Sequence, residues 1–220
     1  MKALLERQQK PEPLSSVGIV LSNLVVIALA LIQDWDLRPM LIIYWAQSVI
    51  IGGFNFVRMI LLRDFTTKGL KSNGRPVPET SKGKWSTAVF FAFHYGIFHL
   101  VYLGFIAGAV AGKVDTSTYA SGWDPGKWDV IGIGLAIVGF FIGHGFSFIN
   151  HVRTDLEGRP NLGTLMFLPY ARIVPMHLTI IFGFSSGSNR IATLVFVVLK
   201  TGADWLMHVI EHRVLSKKRD

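Results

Sequence analysis

The stretch IATLVFVVLKTGADWLMHVIEHR, residues 191–213, is apolar enough for a lipid environment, yet it carries Lys200, Asp204, His208 and His212. Each of these follows the last by four residues. Steps of four advance about 400° around an α-helix, so neighbours lie one turn apart on nearly one face. Ionisable groups at membrane depth are costly and normally face a bundle interior or a watery cavity. His208 and His212 have the i, i+4 spacing that lets two imidazoles reach one metal ion. With Glu211 they spell His-Val-Ile-Glu-His, an H-x-x-E-H string short enough to arise by chance. A polar seam that hydrogen-bonds neighbouring helices accounts for the same residues without a metal.

The rest of the chain shares this apolar character. Half of its 220 residues are hydrophobic and 16% are charged, with a mean hydropathy of +0.43. Several runs reach the roughly 20 residues needed to cross a bilayer, which makes the chain a polytopic membrane protein with lipid as its first partner. The formal charge of +8 does not point to nucleic acid. Its lysines and arginines sit at the ends of apolar runs and in short connections, where they report topology. Cysteine is absent, which excludes disulfides, thiolate zinc sites and iron–sulfur clusters. Any metal must rest on imidazole, carboxylate, amide or water ligands.

The runs predict an all-α fold, a six-transmembrane-helix bundle in a single membrane domain of residues 1–220. Its spans fall at about 14–33, 39–62, 86–110, 130–151, 161–184 and 191–213. The first, behind Lys2, Arg7 and Lys10, imitates a signal peptide through Ala28-Leu29-Ala30. The second holds Gln47, Gly52, Gly53, Asn55 and Arg58; its glycines permit close helix approach, and Arg58 is expected to snorkel. Residues 63–85 carry six basic groups against Asp64 and Glu79, and with Gly69, Gly74, Pro76 and Pro78 they read as an irregular loop. Pro175 predicts a kink in the fifth span. Basic residues cluster in both tails, in 63–85 and in 153–159, so the positive-inside rule places both termini in the cytoplasm.

With that topology, His94, His144, His208 and Asn55 fall about 8–12 Å from the cytoplasmic helix ends. His151 and His212 sit near the interface. His94, His144, His151, His208 and His212 are therefore the candidate metal ligands. His144 and His151 lie two turns apart, about 10 Å, too far for one ion. His94 and His99 differ by about 140° around their helix, so at most one points where the other does. Arg172 and His177 lie deeper. Ser147 and Asn150 read as helix contacts. Lys200 and Asp204 read as an ion pair; Asp204 serves equally as a ligand or as the group that holds His208 in its metal-binding tautomer.

Ser147-x-x-x-His151 and Asp204-x-x-x-His208-x-x-x-His212 resemble motifs of the adiponectin-receptor and alkaline-ceramidase superfamily. Those seven-span proteins hold zinc with three histidines near the cytoplasmic side and cleave amide bonds of lipids. The resemblance implies His151, His208 and His212 as ligands. Separately, the stretch from Ile42-Ile43-Tyr44-Trp45-Ala46-Gln47-Ser48 to Asn55, with the histidine-bearing spans, resembles a bacterial family of six-span membrane proteins of unknown function. It implies the bacterial inner membrane as the location.

Three functions fit these residues. The leading one is a metalloprotein that hydrolyses a lipid-like or amide substrate, with zinc or another imidazole-binding transition metal and Asp204 or Glu211 as general base. The second is an oxidoreductase holding haem, ranked below zinc, or a pair of iron or copper ions. The third is a proton or metal-ion carrier, with Lys200, Asp204 and the histidines as a relay. A homo-oligomer is compatible with all three.

Overall fold

A 25-residue helix, α1 (Leu37–Leu61), is the piece on which its neighbours pack in the computed structural model, which describes residues 37–111, 126–183, 191 and 194–203. Trp45, Ser48 and Gly52 are spaced i, i+3, i+7 and share one face of α1; Gln47, Phe54 and Arg58 are spaced i, i+7, i+11 and share another. The first face meets α2 (Ser81–Val110). There Trp45 Nε1 donates to the His99 carbonyl at 2.9 Å, and Gly52 comes so close that a methyl group on it would run into the Tyr95 ring. The second face meets α3 (Lys127–Glu157). Phe54 packs on Phe141 and Phe148 with ring centroids 5.5 and 5.0 Å apart. Arg58, expected to snorkel, is instead held by Asp155, whose Oδ2 accepts from Nε at 2.9 Å and from Nη2 at 2.7 Å.

The outer faces of these helices identify their solvent. On α2 the buried residues Ala88, Phe91, Tyr95, His99, Tyr102, Ile106 and Ala109 recur every three or four positions, the stripe of a packed helix. Yet Phe90, Phe93, Ile97, Leu100, Val101, Leu103 and Phe105 stand exposed between them. A helix apolar on every face and exposed on most of it is solvated by lipid.

The six-span expectation is corrected here. Among the described residues four helical stretches are long and apolar enough to cross a membrane: Arg38–Leu61, Ser81–Ala109, Val130–Glu157 and Leu162–Ile181. The expected first span, 14–33, lies outside the described residues. The expected last span, 191–213, is described as a helix, α6, only over Leu194–Ala203, and residues 204–213 lie outside the described residues. The six-helix bundle gives way to four described spans, and both termini lie outside the described residues. The chain is an all-α, polytopic integral membrane protein.

The connection after α1 is built rather than irregular. β1 (Lys71–Ser72) and β2 (Arg75–Pro76) pair antiparallel, Ser72 opposite Arg75. The turn between them has φ of 48° at Asn73 and 77° at Gly74, the two positive values of a type I′ hairpin turn. Thr66 makes a parallel bridge with Asn161, its N–H donating to the Pro160 carbonyl at 3.0 Å and its carbonyl accepting from Leu162 N–H at 2.8 Å. Glu79 Oε1 accepts from the Thr66 hydroxyl at 2.7 Å and from Thr67 N–H at 3.0 Å. Arg159 holds the other oxygen of Glu79 at 2.6 Å and Asp64 at 3.1 Å. Lys84 turns back to the end of α1, donating to the carbonyls of Ile60 at 2.8 Å and Leu62 at 2.6 Å. A cation there satisfies carbonyls that lack helical partners and lies at the negative end of the helix dipole.

The last long stretch is broken into pieces: α4 (Leu162–Phe167), a 3₁₀ turn (Leu168–Arg172), α5 (Ile173–Leu178) and a π turn (Thr179–Gly183). Asn161 caps α4, its side-chain oxygen accepting from Thr164 N–H at 3.0 Å. Residues 37–173 form one compact unit, and the described residues from Val174 onward belong to a second.

Candidate functional site

Inside the first unit, α1 and α2 share a sealed polar cluster. His99 Nδ1 lies 2.8 Å from the Tyr95 carbonyl, an acceptor only, so that nitrogen carries the proton. His99 Nε2 is then left to accept from the Ser48 hydroxyl at 3.0 Å. Tyr95 donates to the Ser48 carbonyl at 3.0 Å and lies 2.7 Å from Ser48 Oγ. A serine on the free nitrogen of an oriented imidazole has the connectivity of a nucleophile and its base. Ser48 is only 2% exposed and His99 5%, so the cluster is shut off from substrate and joins two helices.

A second group lies where the last span breaks. Pro169 has no N–H to give back to the Leu165 carbonyl four residues earlier. Asn55 supplies the missing donor, its Nδ2 lying 2.8 Å from Leu165 O. The 3₁₀ turn that follows presents Tyr170 and Arg172. Tyr170 OH lies 2.9 Å from His94 Nδ1, and its ring meets Phe91 and Tyr95 edge-on. Arg172 stands close enough to Tyr95 and His144 for its charge to act on both. On the other face of α1, Gln47 Nε2 lies 3.2 Å from His144 Nε2.

The expected ligands are thus partly placed and not gathered. His94 stands thirteen positions after Ser81 and His144 thirteen before Glu157, about 20 Å along the axis in each case. They share a level, but it is mid-helix rather than near one end, because α2 starts and α3 ends beyond the apolar runs. They also engage different faces of the unit: His94 is exposed and bonds Tyr170, whereas His144 is half-buried against Gln47. His151 turns onto its own helix, Nδ1 lying 2.7 Å from the Ser147 carbonyl and 3.1 Å from its hydroxyl. Asp204, His208, Glu211 and His212 lie outside the described residues. Among the described residues no three His, Cys, Asp or Glu side chains come together as a metal site requires.

Two features went unread in the sequence. The Asn73-Gly74 pair signals a two-residue hairpin, and Pro169 signals a broken helix six residues before the proline singled out. Tyr95 and Tyr170 carry no motif; only the fold makes them hydrogen-bond partners.

Comparison with curated proteins finds no match, and neither does comparison with solved structures. The likeness to the adiponectin-receptor and alkaline-ceramidase superfamily, drawn from Ser147, His151, Asp204, His208 and His212, gives way to the family whose model matches the chain. The picture of a six-span family gives way as well, since four spans are described. A family model described as Family of unknown function (DUF6498) matches residues 5–220, and the chain belongs to that family.

Proposed function

We propose that this membrane protein is a proton carrier whose working groups lie at the broken span. The observation that carries this reading is the replacement of a continuous helix by α4, a 3₁₀ turn, α5 and a π turn. Discontinuous helices at membrane depth are tolerated where backbone is buried in protein or lines a cavity, and carriers build their sites from them. Tyr170 and Arg172 sit in that break, with His94 bonded to Tyr170 and His144 within reach of the Arg172 charge. Histidine is the side chain that changes charge near neutral pH, which suits it to passing protons. In a bacterial cell the expected setting is the inner membrane. In sealed vesicles holding a pH-sensitive dye, with charge compensated by potassium and valinomycin, the protein should dissipate an imposed pH gradient several-fold faster than protein-free vesicles. His144→Gln and Arg172→Gln should slow it. Equal rates with and without protein would remove the carrier reading.

Metal-dependent hydrolysis of a lipid-like or amide substrate is the second reading, supported by the four-residue spacing of Asp204, His208 and His212 in the sequence. Elemental analysis of protein purified without chelator decides it. Near one equivalent of zinc or another transition metal, lost in His208→Gln and His212→Gln, supports it. Asp204→Asn should then weaken metal binding about 10–100-fold. Metal below a small fraction of an equivalent ends this reading.

A further inference from the structure

We propose that the groove between the β1–β2 hairpin and the first turns of α2 seats the headgroup of an anionic phospholipid. This site is separate from the polar groups at the broken span and does not depend on the carrier reading. The groove has a volume of about 680 Å³; Lys71, Arg75 and Lys82 line it together with Leu70, Phe90 and Met166.

Its charge is unbalanced for a structural reason. The acids of this connection, Asp64 and Glu79, are both taken up by Arg159, and Glu79 also by Thr66 and Thr67. Lys84 is turned inward onto the carbonyls at the end of α1. Lys71, Arg75 and Lys82 are left exposed on the groove side, with no carboxylate among its lining residues. The hairpin connects the end of α1 to the start of α2, so these cations stand at the membrane's edge.

Polarity changes along the groove as it does along a lipid. Phe90 lies nine residues into α2, about 13 Å along the axis from Ser81, and Leu70 and Met166 are buried apolar residues. Inorganic phosphate or a soluble phosphate ester would use the cations and leave this apolar part unfilled. A phospholipid fills both, its phosphate among the three basic groups and the start of its chains against Phe90 and Met166. Basic groups at an anionic membrane surface each contribute about fivefold to binding, so three together amount to roughly a hundredfold.

The test uses the full chain in a neutral detergent, titrated with phosphatidylglycerol, phosphatidylcholine or inorganic phosphate, with the melting temperature as readout. Phosphatidylglycerol should raise it saturably, and the other two should not. In the K71Q/R75Q/K82Q variant the half-saturating concentration should rise roughly a hundredfold. Ser86→Trp, which fills the groove and keeps its charge, should lose the response. A control at two basic residues outside the groove lining, R63Q/K68Q, should keep it. The proposal is overturned if phosphatidylcholine works as well, if inorganic phosphate reproduces the shift, or if the control loses as much as the triple variant. It is equally overturned if both the triple variant and Ser86→Trp respond like the natural protein.

Discussion

At the residue scale, the membrane makes each unpaired polar atom expensive, and Asn55 shows how one is dealt with. The Leu165 carbonyl loses its helical partner to Pro169, and the Asn55 amide takes that place from another helix. Interhelical hydrogen bonds in membranes average about 0.6 kcal/mol, but orphaning a buried carbonyl costs about 1–3 kcal/mol. Asn55→Leu should therefore destabilise by about 1–2 kcal/mol, measured by reversible unfolding in mixed detergent. Pro169→Ala restores the missing N–H, so the same Asn55→Leu change should cost clearly less in that background. Equal costs in the two backgrounds would show that Asn55 does not stand in for the absent N–H. Gly52 makes the complementary point through shape. Gly52→Ala drives a methyl into Tyr95, and such overpacking typically costs about 1–3 kcal/mol. Tyr95→Leu should recover part of that loss by the same measurement. The sequence marked Asn55 as polar at depth and Gly52 as a site of close approach. It did not identify Leu165 and Tyr95 as their partners, because helix rotation is set by packing between segments far apart in the chain.

At the element scale, the hairpin connection is the part least legible beforehand and the best tied down. Its glycines, prolines and lysines have the composition of a loop. What orders it is Glu79, a residue with no local pattern, which collects Thr66, Thr67 and Arg159 on its two oxygens. Those hydrogen bonds, and then the Arg159 charge, hold the Glu79 carboxyl below its usual range. Because the folded value is depressed, the stability this group adds is present above the ordinary glutamate range and is lost as pH falls through the depressed value. Glu79→Gln should lower the melting temperature at neutral pH. The gap between variant and natural protein should close once the pH drops below the depressed value. A gap unchanged at acid pH would show that the carboxylate charge is not what anchors the connection. The long apolar helices were legible because composition alone specifies them. The break at Pro169 was not, because proline is common in membrane helices and only the 3₁₀ turn around it reveals the interruption.

At the scale of the whole molecule, charge and hydrogen bonding agree on which ends lie together. The two basic connections, 63–85 and 153–159, were assigned to one side from their lysines and arginines alone. The bridge of Thr66 to Asn161 and the bonds of Arg159 to Asp64 and Glu79 bring them together independently. Between them, α2 runs 30 residues away from that side and α3 runs 31 residues back, each about 45 Å and longer than the hydrocarbon core of about 30 Å. The end of α2 must then emerge opposite the hairpin, which fixes the orientation of the first unit without any count of spans in the whole chain. The absence of cysteine makes this open to direct measurement, since a single introduced cysteine is the only thiol. In inside-out and right-side-out vesicles, Lys71→Cys and Glu157→Cys should react with an impermeant maleimide from the same face, and Ala111→Cys from the opposite one. By the positive-inside rule the face shared by residues 71 and 157 is the cytoplasmic one. If Ala111→Cys labels together with Lys71→Cys, α2 does not cross the membrane, and neither the described spans nor the lipid seat at their basic end survives.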